Sequence, residues 1–82
     1  MAQPGRVMGH PDGNQPLRNH LKVERARHNL TQQQLADLVG VTRKTITTVE
    51  TGRFIPSTVL ALKLARALHT RVDELFYLAD DR

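Results

Sequence analysis

Two threonines eleven residues apart, Thr31 and Thr42, each stand at the head of a short helical segment, with Gly40 between them. Thr31-Gln32-Gln33-Gln34 has the form of a capping box. The threonine oxygen accepts from the amide three residues on, and the Gln34 side chain reaches back to the threonine amide. The helix so started runs to Val39, with Leu35, Ala36 and Val39 on one face. Gly40 ends it, because glycine reaches positive φ without steric cost. Thr42 then caps a second helix over 43–51, whose inner face is Ile46 and Val49, and Gly52 stops it. Two such short helices joined by Gly40-Val41-Thr42 have to pack on one another. Ala36 is small enough for a close crossing, and Val41, Ile46 and Val49 fill the wedge.

The flanking segments extend the same pattern. Residues 17–28 contain no glycine or proline, and Leu17 and Leu21 mark one apolar stripe, so a first helix is expected there. Pro16 suits its start, Asn29 tolerates the left-handed conformation that ends it, and Leu30 plugs the core. Ser57 caps a helix over 58–68, in which Ala61, Leu64, Ala65 and Leu68 repeat at i, i+3, i+4 and i+7. His69 stands where a helix-ending residue needs positive φ, which histidine adopts more often than most. A last short helix or turn covers 72–78, with a terminal strand at 76–78 left open. Arg71 is a poor cap for that last helix, and Thr70 is the better candidate. No segment alternates convincingly with period two, so no sheet is expected.

Composition narrows the chemistry. Eighty-two residues make one domain. Residues 1–16, with three prolines and three glycines, bury too little surface to offset chain entropy and are expected to form a disordered arm. Residues 17–78 are the domain and 79–82 an acidic tail. Ten basic side chains face three acidic ones between Leu17 and Arg71, whereas four acids face one arginine from Val72 onward. A basic body suits a polyanion. The absence of cysteine removes disulfides, thiolate zinc sites and a cysteine nucleophile together. A cytoplasmic location is expected. No apolar run approaches the ~20 residues of a membrane span, and the N-terminus lacks the apolar core of a secretory signal.

A small residue, a glycine four later, and branched apolar residues six and nine after that glycine form the pattern of a helix-turn-helix. The stretch LTQQQLADLVGVTRKTITTVETGRFIPS, followed by LALKLARAL and VDELF, resembles the phage-repressor/Cro-type (xenobiotic-response-element) helix-turn-helix family, in particular its short single-domain regulators. The resemblance covers about residues 17–78. It implies an all-α, compact five-helix phage-repressor-like domain that binds double-stranded operator DNA, usually as a homodimer. The function it implies is that of a sequence-specific transcriptional regulator, a repressor, on a pseudo-palindromic site.

The resemblance also implies roles for particular residues. Gln32 matches the glutamine at the start of the second helix, which contacts the DNA backbone and helps orient the recognition helix. Thr42, Arg43, Lys44, Thr47 and Thr48 match the exposed positions of the recognition helix. Arg53 matches a phosphate-contacting residue of the next loop. Arg25 and Glu50 match a buried salt bridge between the first and third helices. The residues themselves point the same way. With Ile46 and Val49 inward, 43, 44, 47 and 48 project outward, at the end of the helix that enters the major groove. Arg43 and Lys44 can donate to guanine O6 and N7.

Other chemistries find no support. His10, His20, His28 and His69 lack paired metal-ligand spacing, so no metal or cofactor is expected. Asp73/Glu74 and Asp80/Asp81 are adjacent pairs whose members point apart on a helix, and Ser57 has no local histidine partner. An enzyme is not expected. The fourth and fifth helices and the C-terminal residues are where the resemblance places a dimer contact. The alternative function is an antitoxin or protein-interaction module of the same fold, bound to a toxin or other protein, with DNA binding secondary.

Overall fold

A computed structural model describes residues 17–79 of the chain. The expected arm, residues 1–16, and positions 80–82 of the acidic tail lie outside the described residues. The element order is β1 (Leu17–Asn19), α1 (Leu21–Arg27), α2 (Gln32–Val39), α3 (Arg43–Glu50), α4 (Thr58–Ala67), α5 (Val72–Leu75) and β2 (Phe76–Leu78). Among the described residues the fold is mostly helical, with the five helices of the phage-repressor-like fold.

Local chemistry accounts for most boundaries. At α2 both halves of the capping box form: the Gln34 amide donates to Thr31 Oγ1 at 3.0 Å, and the Thr31 amide donates to Gln34 Oε1 at 2.8 Å. The Thr45 amide donates to Thr42 Oγ1 at 3.2 Å, and the Leu60 amide to Ser57 Oγ at 3.0 Å. Gly40 has φ 77°, while Asn29 and His69 take φ 55° and 54° as the non-glycine residues that turn the chain after α1 and α4.

The two ends differ from expectation. The first helix starts at Leu21, and Leu17–Asn19 instead pairs antiparallel with Phe76–Leu78 in a two-stranded ribbon, Leu17 opposite Leu78 and Asn19 opposite Phe76. Asn19 explains the late start. Its Oδ1 accepts from the Leu21 amide at 2.9 Å, and its Nδ2 donates to the Val49 carbonyl at 2.9 Å. The side chain thereby closes the N-terminal side of α1 and ties the ribbon to the end of α3. The last helix stops at Leu75 because the following three residues are taken into the ribbon. Its N-cap is Arg71, with no side-chain cap bond. Thr70, the expected cap, instead has Oγ1 donating to Glu74 Oε1 at 3.3 Å.

One apolar cluster joins all five helices. Leu21, Leu35, Ala36, Ile46, Leu64 and Leu75 are all fully buried in it. Burying a leucine of this kind contributes about 1.5–3 kcal/mol. Ala36 has no exposed surface, and Val41 packs against the cluster from the turn. α3 is consequently held along one face while the opposite face stays in solvent.

Candidate nucleic-acid interface

The outer face of α3 begins at the turn. Thr42, Arg43 and Lys44 are exposed, whereas Ile46 and Val49 on the inner side are buried. The two cations therefore stand on the first turn of a helix whose far side is locked into the core. The Lys44 and Arg53 side chains have no hydrogen bond or ion pair among the described residues. Arg53 sits in the loop after α3, and its amide donates to the Thr48 carbonyl at 2.9 Å while the Phe54 amide reaches the same oxygen at 3.1 Å. This folds the loop back on the last turn of α3 and keeps Arg53 close to it.

Beneath that surface lies a connected set of polar groups. Arg25 Nε donates to Glu50 Oε2 at 2.7 Å, linking α1 to α3, with the Glu50 side chain 5% exposed. Arg25 Nη1 also donates to the Leu30 carbonyl at 2.8 Å, which braces the loop before α2. Gln32 Nε2 donates to Glu50 Oε1 at 3.0 Å, and Gln32 Oε1 accepts from Thr47 Oγ1 at 3.1 Å and from Arg43 Nη1 at 3.4 Å. The structure thus brings Gln32, Arg43, Thr47, Glu50 and Arg25 into one network, and leaves Thr42, Lys44, Thr48 and Arg53 outside it.

The threonines of α3 have a local use as well. Thr48 Oγ1 lies 3.0 Å from the Lys44 carbonyl, and Thr47 Oγ1 lies 3.1 Å from the Arg43 carbonyl. Such back-bonding satisfies a hydroxyl within its own helix. Thr42 Oγ1 accepts the capping bond and lies 3.1 Å from Thr45 Oγ1. Thr42 is exposed, whereas Thr47 and Thr48, expected to project outward, are half-buried. A threonine methyl is what can meet the C5-methyl of thymine.

Two residues gain roles that sequence reasoning did not give them. Asn19 anchors the ribbon to α3, and a lone asparagine inside a segment read as helix carries no signal of that. His28 Nε2 lies 2.9 Å from the Leu68 carbonyl, joining the ends of α1 and α4, with the His69 ring 5.6 Å away. Among the described residues no group of three or more His, Cys, Asp or Glu is placed to hold a metal ion, and no helix is long and apolar enough to cross a membrane.

A tight α2–α3 corner on Gly40, a core-locked third helix and exposed cations on its first turn define a helix-turn-helix DNA-binding domain. Comparison with known proteins agrees. The helix-turn-helix family profile matches residues 21–75. An uncharacterized HTH-type transcriptional regulator of Methanocaldococcus jannaschii is 43% identical over 65 residues, covering 79% of this chain and 98% of the relative. One from Bacillus subtilis is 37% identical over 65 residues, covering 79% and 98%. Among solved structures, the restriction-modification controller protein C.AhdI of Aeromonas hydrophila is 39% identical with a TM-score of 0.63, over 66% of this chain and 82% of that one. The chain belongs to the helix-turn-helix family, of the phage-repressor/Cro type. It is a transcriptional regulator with a helix-turn-helix DNA-binding domain, and its relatives are regulators rather than enzymes.

Proposed function

We propose that the chain binds a pseudo-palindromic operator as a homodimer and represses transcription from the DNA it covers, acting in the cytoplasm. The observation that carries this is the placement of Arg43 and Lys44, exposed on the first turn of a helix whose other face is fixed by Ile46 and Val49. In the major groove Arg43 and Lys44 donate to guanine O6 and N7, and Thr42, Thr47 and Thr48 offer methyl groups to thymine. Gln32 and Arg53 grip the backbone on either side. Phosphate contacts of this kind set register without reading sequence.

Homodimerisation is supported by apolar surface that one subunit does not cover. Ile55, Val59, Leu62 and Leu78 are exposed, and Leu62 lines a shallow groove with Leu17, Pro56, Thr58, Ala61, Val72 and Phe76. Exposed apolar side chains together with an open, largely apolar groove are what an interaction site offers. Two copies joined across α4 and the ribbon present two α3 helices about 34 Å apart, one turn of DNA. Footprinting tests the reading. Two protected half-sites one turn apart are expected, and a single unsplit footprint with no dyad contradicts it.

A further inference from the structure

Glu50 does more than its pairing with Arg25 requires. Its Oε2 accepts from Arg25 Nε at 2.7 Å, while its Oε1 accepts from Gln32 Nε2 at 3.0 Å and lies 3.5 Å from Arg25 Nη2. An ionised carboxylate only accepts, so the Gln32 amide has to turn its NH2 toward Glu50. The Gln32 carbonyl then faces outward, where Thr47 Oγ1 stands at 3.1 Å and Arg43 Nη1 at 3.4 Å. A guanidinium only donates. The amide lies between an acceptor-only group on the core side and a donor-only group on the outer side, and one of its two orientations satisfies both. Thr47 reinforces this without fixing it, since its single hydroxyl proton goes either to Gln32 or to the Arg43 carbonyl.

We propose that Glu50 is a positioning residue for DNA discrimination: through the Gln32 amide it sets where the Arg43 guanidinium stands before α3 meets DNA. This rests on the reading of Arg43 as a base contact. An ion pair that only fastened α1 to α3 would use Glu50 Oε2 and leave Gln32 free to take either orientation. Here the core ion pair reaches the DNA-facing surface through one side chain. Preorganisation lowers the ordering cost of binding, and it does so most on DNA that offers Arg43 a matching acceptor. Glu50 thus acts on the difference between right and wrong sequences.

The donor–acceptor order supplies the test. In Glu50→Gln the new amide has to give its carbonyl to Arg25, which leaves its NH2 facing Gln32. Gln32 then turns over, and its own NH2 meets the Arg43 guanidinium, donor against donor. Adding Gln32→Glu restores an acceptor toward both neighbours. The three proteins are compared on the duplex that the unmodified chain selects from a randomised library and on a shuffled duplex of the same composition. Measurements are made where circular dichroism shows each protein folded, and the readout is the ratio of the two Kd values. Glu50→Gln is expected to lower that ratio about tenfold, the size of one coupled contact. The double variant is expected to recover most of it, even though the added negative charge weakens both duplexes alike. A purely structural role moves both Kd values together and leaves the ratio unchanged. An unchanged ratio in Glu50→Gln, or no recovery in the double variant, overturns the proposal.

Should Glu50→Gln not fold, Gln32→Leu, at a half-buried position, tests the link from Gln32 to Arg43 without which Glu50 has no route to the DNA-facing surface. The ratio is expected to drop, and Arg43→Ala on top of it to add less than in the unmodified chain. Independent, fully additive losses overturn the proposal. Arg43→Ala alone separates this from the reading beneath it: a ratio unmoved by that change removes the base contact itself, and the positioning role with it.

Discussion

Arg25 and Glu50, twenty-five positions apart, meet at 2.7 Å between α1 and α3, with 15% and 5% of their side chains exposed. Arg25 also holds the Leu30 carbonyl, so the pair closes both the helix contact and the loop into α2. Removing one member of such a pair leaves a charge stranded away from water. Arg25→Ala is expected to cost about 3–5 kcal/mol, most of the stability of a domain this small, as read by urea unfolding. Arg25→Met with Glu50→Met is expected to recover part of that loss, because no buried charge is then left alone. A single variant within about 0.5 kcal/mol of the unmodified chain, the range of ordinary surface changes, contradicts a buried pair.

At Gly40 the cost of substitution is conformational. Its φ is 77°, and a Cβ built there meets no atom within 4 Å. Gly40→Ala is expected to destabilise by about 1–2 kcal/mol through left-handed strain alone. Gly40→Asn is expected to cost less, since asparagine tolerates that region, as Asn29 does in this chain at φ 55°. Thermal melts of the two variants check the order. An alanine variant as stable as glycine removes the strain argument.

Leu62, 55% exposed, borders the apolar groove. Leu62→Asp should leave the fold intact, since the side chain lies outside the core. It should also convert a dimer to a monomer in sedimentation equilibrium, because it sets two carboxylates within one apolar contact. A variant that sediments as a dimer moves the interface away from α4.

Arg53, free among the described residues, is expected to act through its charge on phosphate. Arg53→Ala should weaken binding to selected and shuffled duplexes alike and reduce the salt slope of log K by about one. Binding isotherms at several salt concentrations give the slope, and an unchanged slope removes Arg53 from the phosphate contacts.

Much of this architecture is written in local chemistry. The caps at Thr31, Thr42 and Ser57 and the glycine at 40 act within four residues of themselves, so a sequence displays them. So do the inward positions Leu35, Ala36, Ile46, Val49, Leu64 and Leu68, which follow a helical period and are all buried. Of the ribbon only the strand Phe76–Leu78 stood open in the sequence. Its partner Leu17–Asn19 was not legible, because three residues per strand are too few for alternation to register and the two strands lie about 60 positions apart. Leu17 and Leu21 at a spacing of four fit a helix equally well, and only the Asn19 bonds to Leu21 and Val49 decide against it. The candidate interface was legible as residue types at spacings. Of the Gln32 network only the Arg25–Glu50 pair was: Gln32, Arg43 and Thr47 have separate roles when read singly, and their joining to Glu50 depends on how α2 and α3 cross.

The account rests on Arg43 and Lys44 reading bases from the first turn of α3, and relative affinity tests that most directly. Arg43→Ala and Lys44→Ala are each titrated against the duplex selected by the unmodified chain and against a shuffled one. Each variant is expected to lose about 1–3 kcal/mol on the selected duplex and much less on the shuffled one. Equal losses on the two duplexes would show that these side chains touch only phosphate, and would contradict sequence reading by α3.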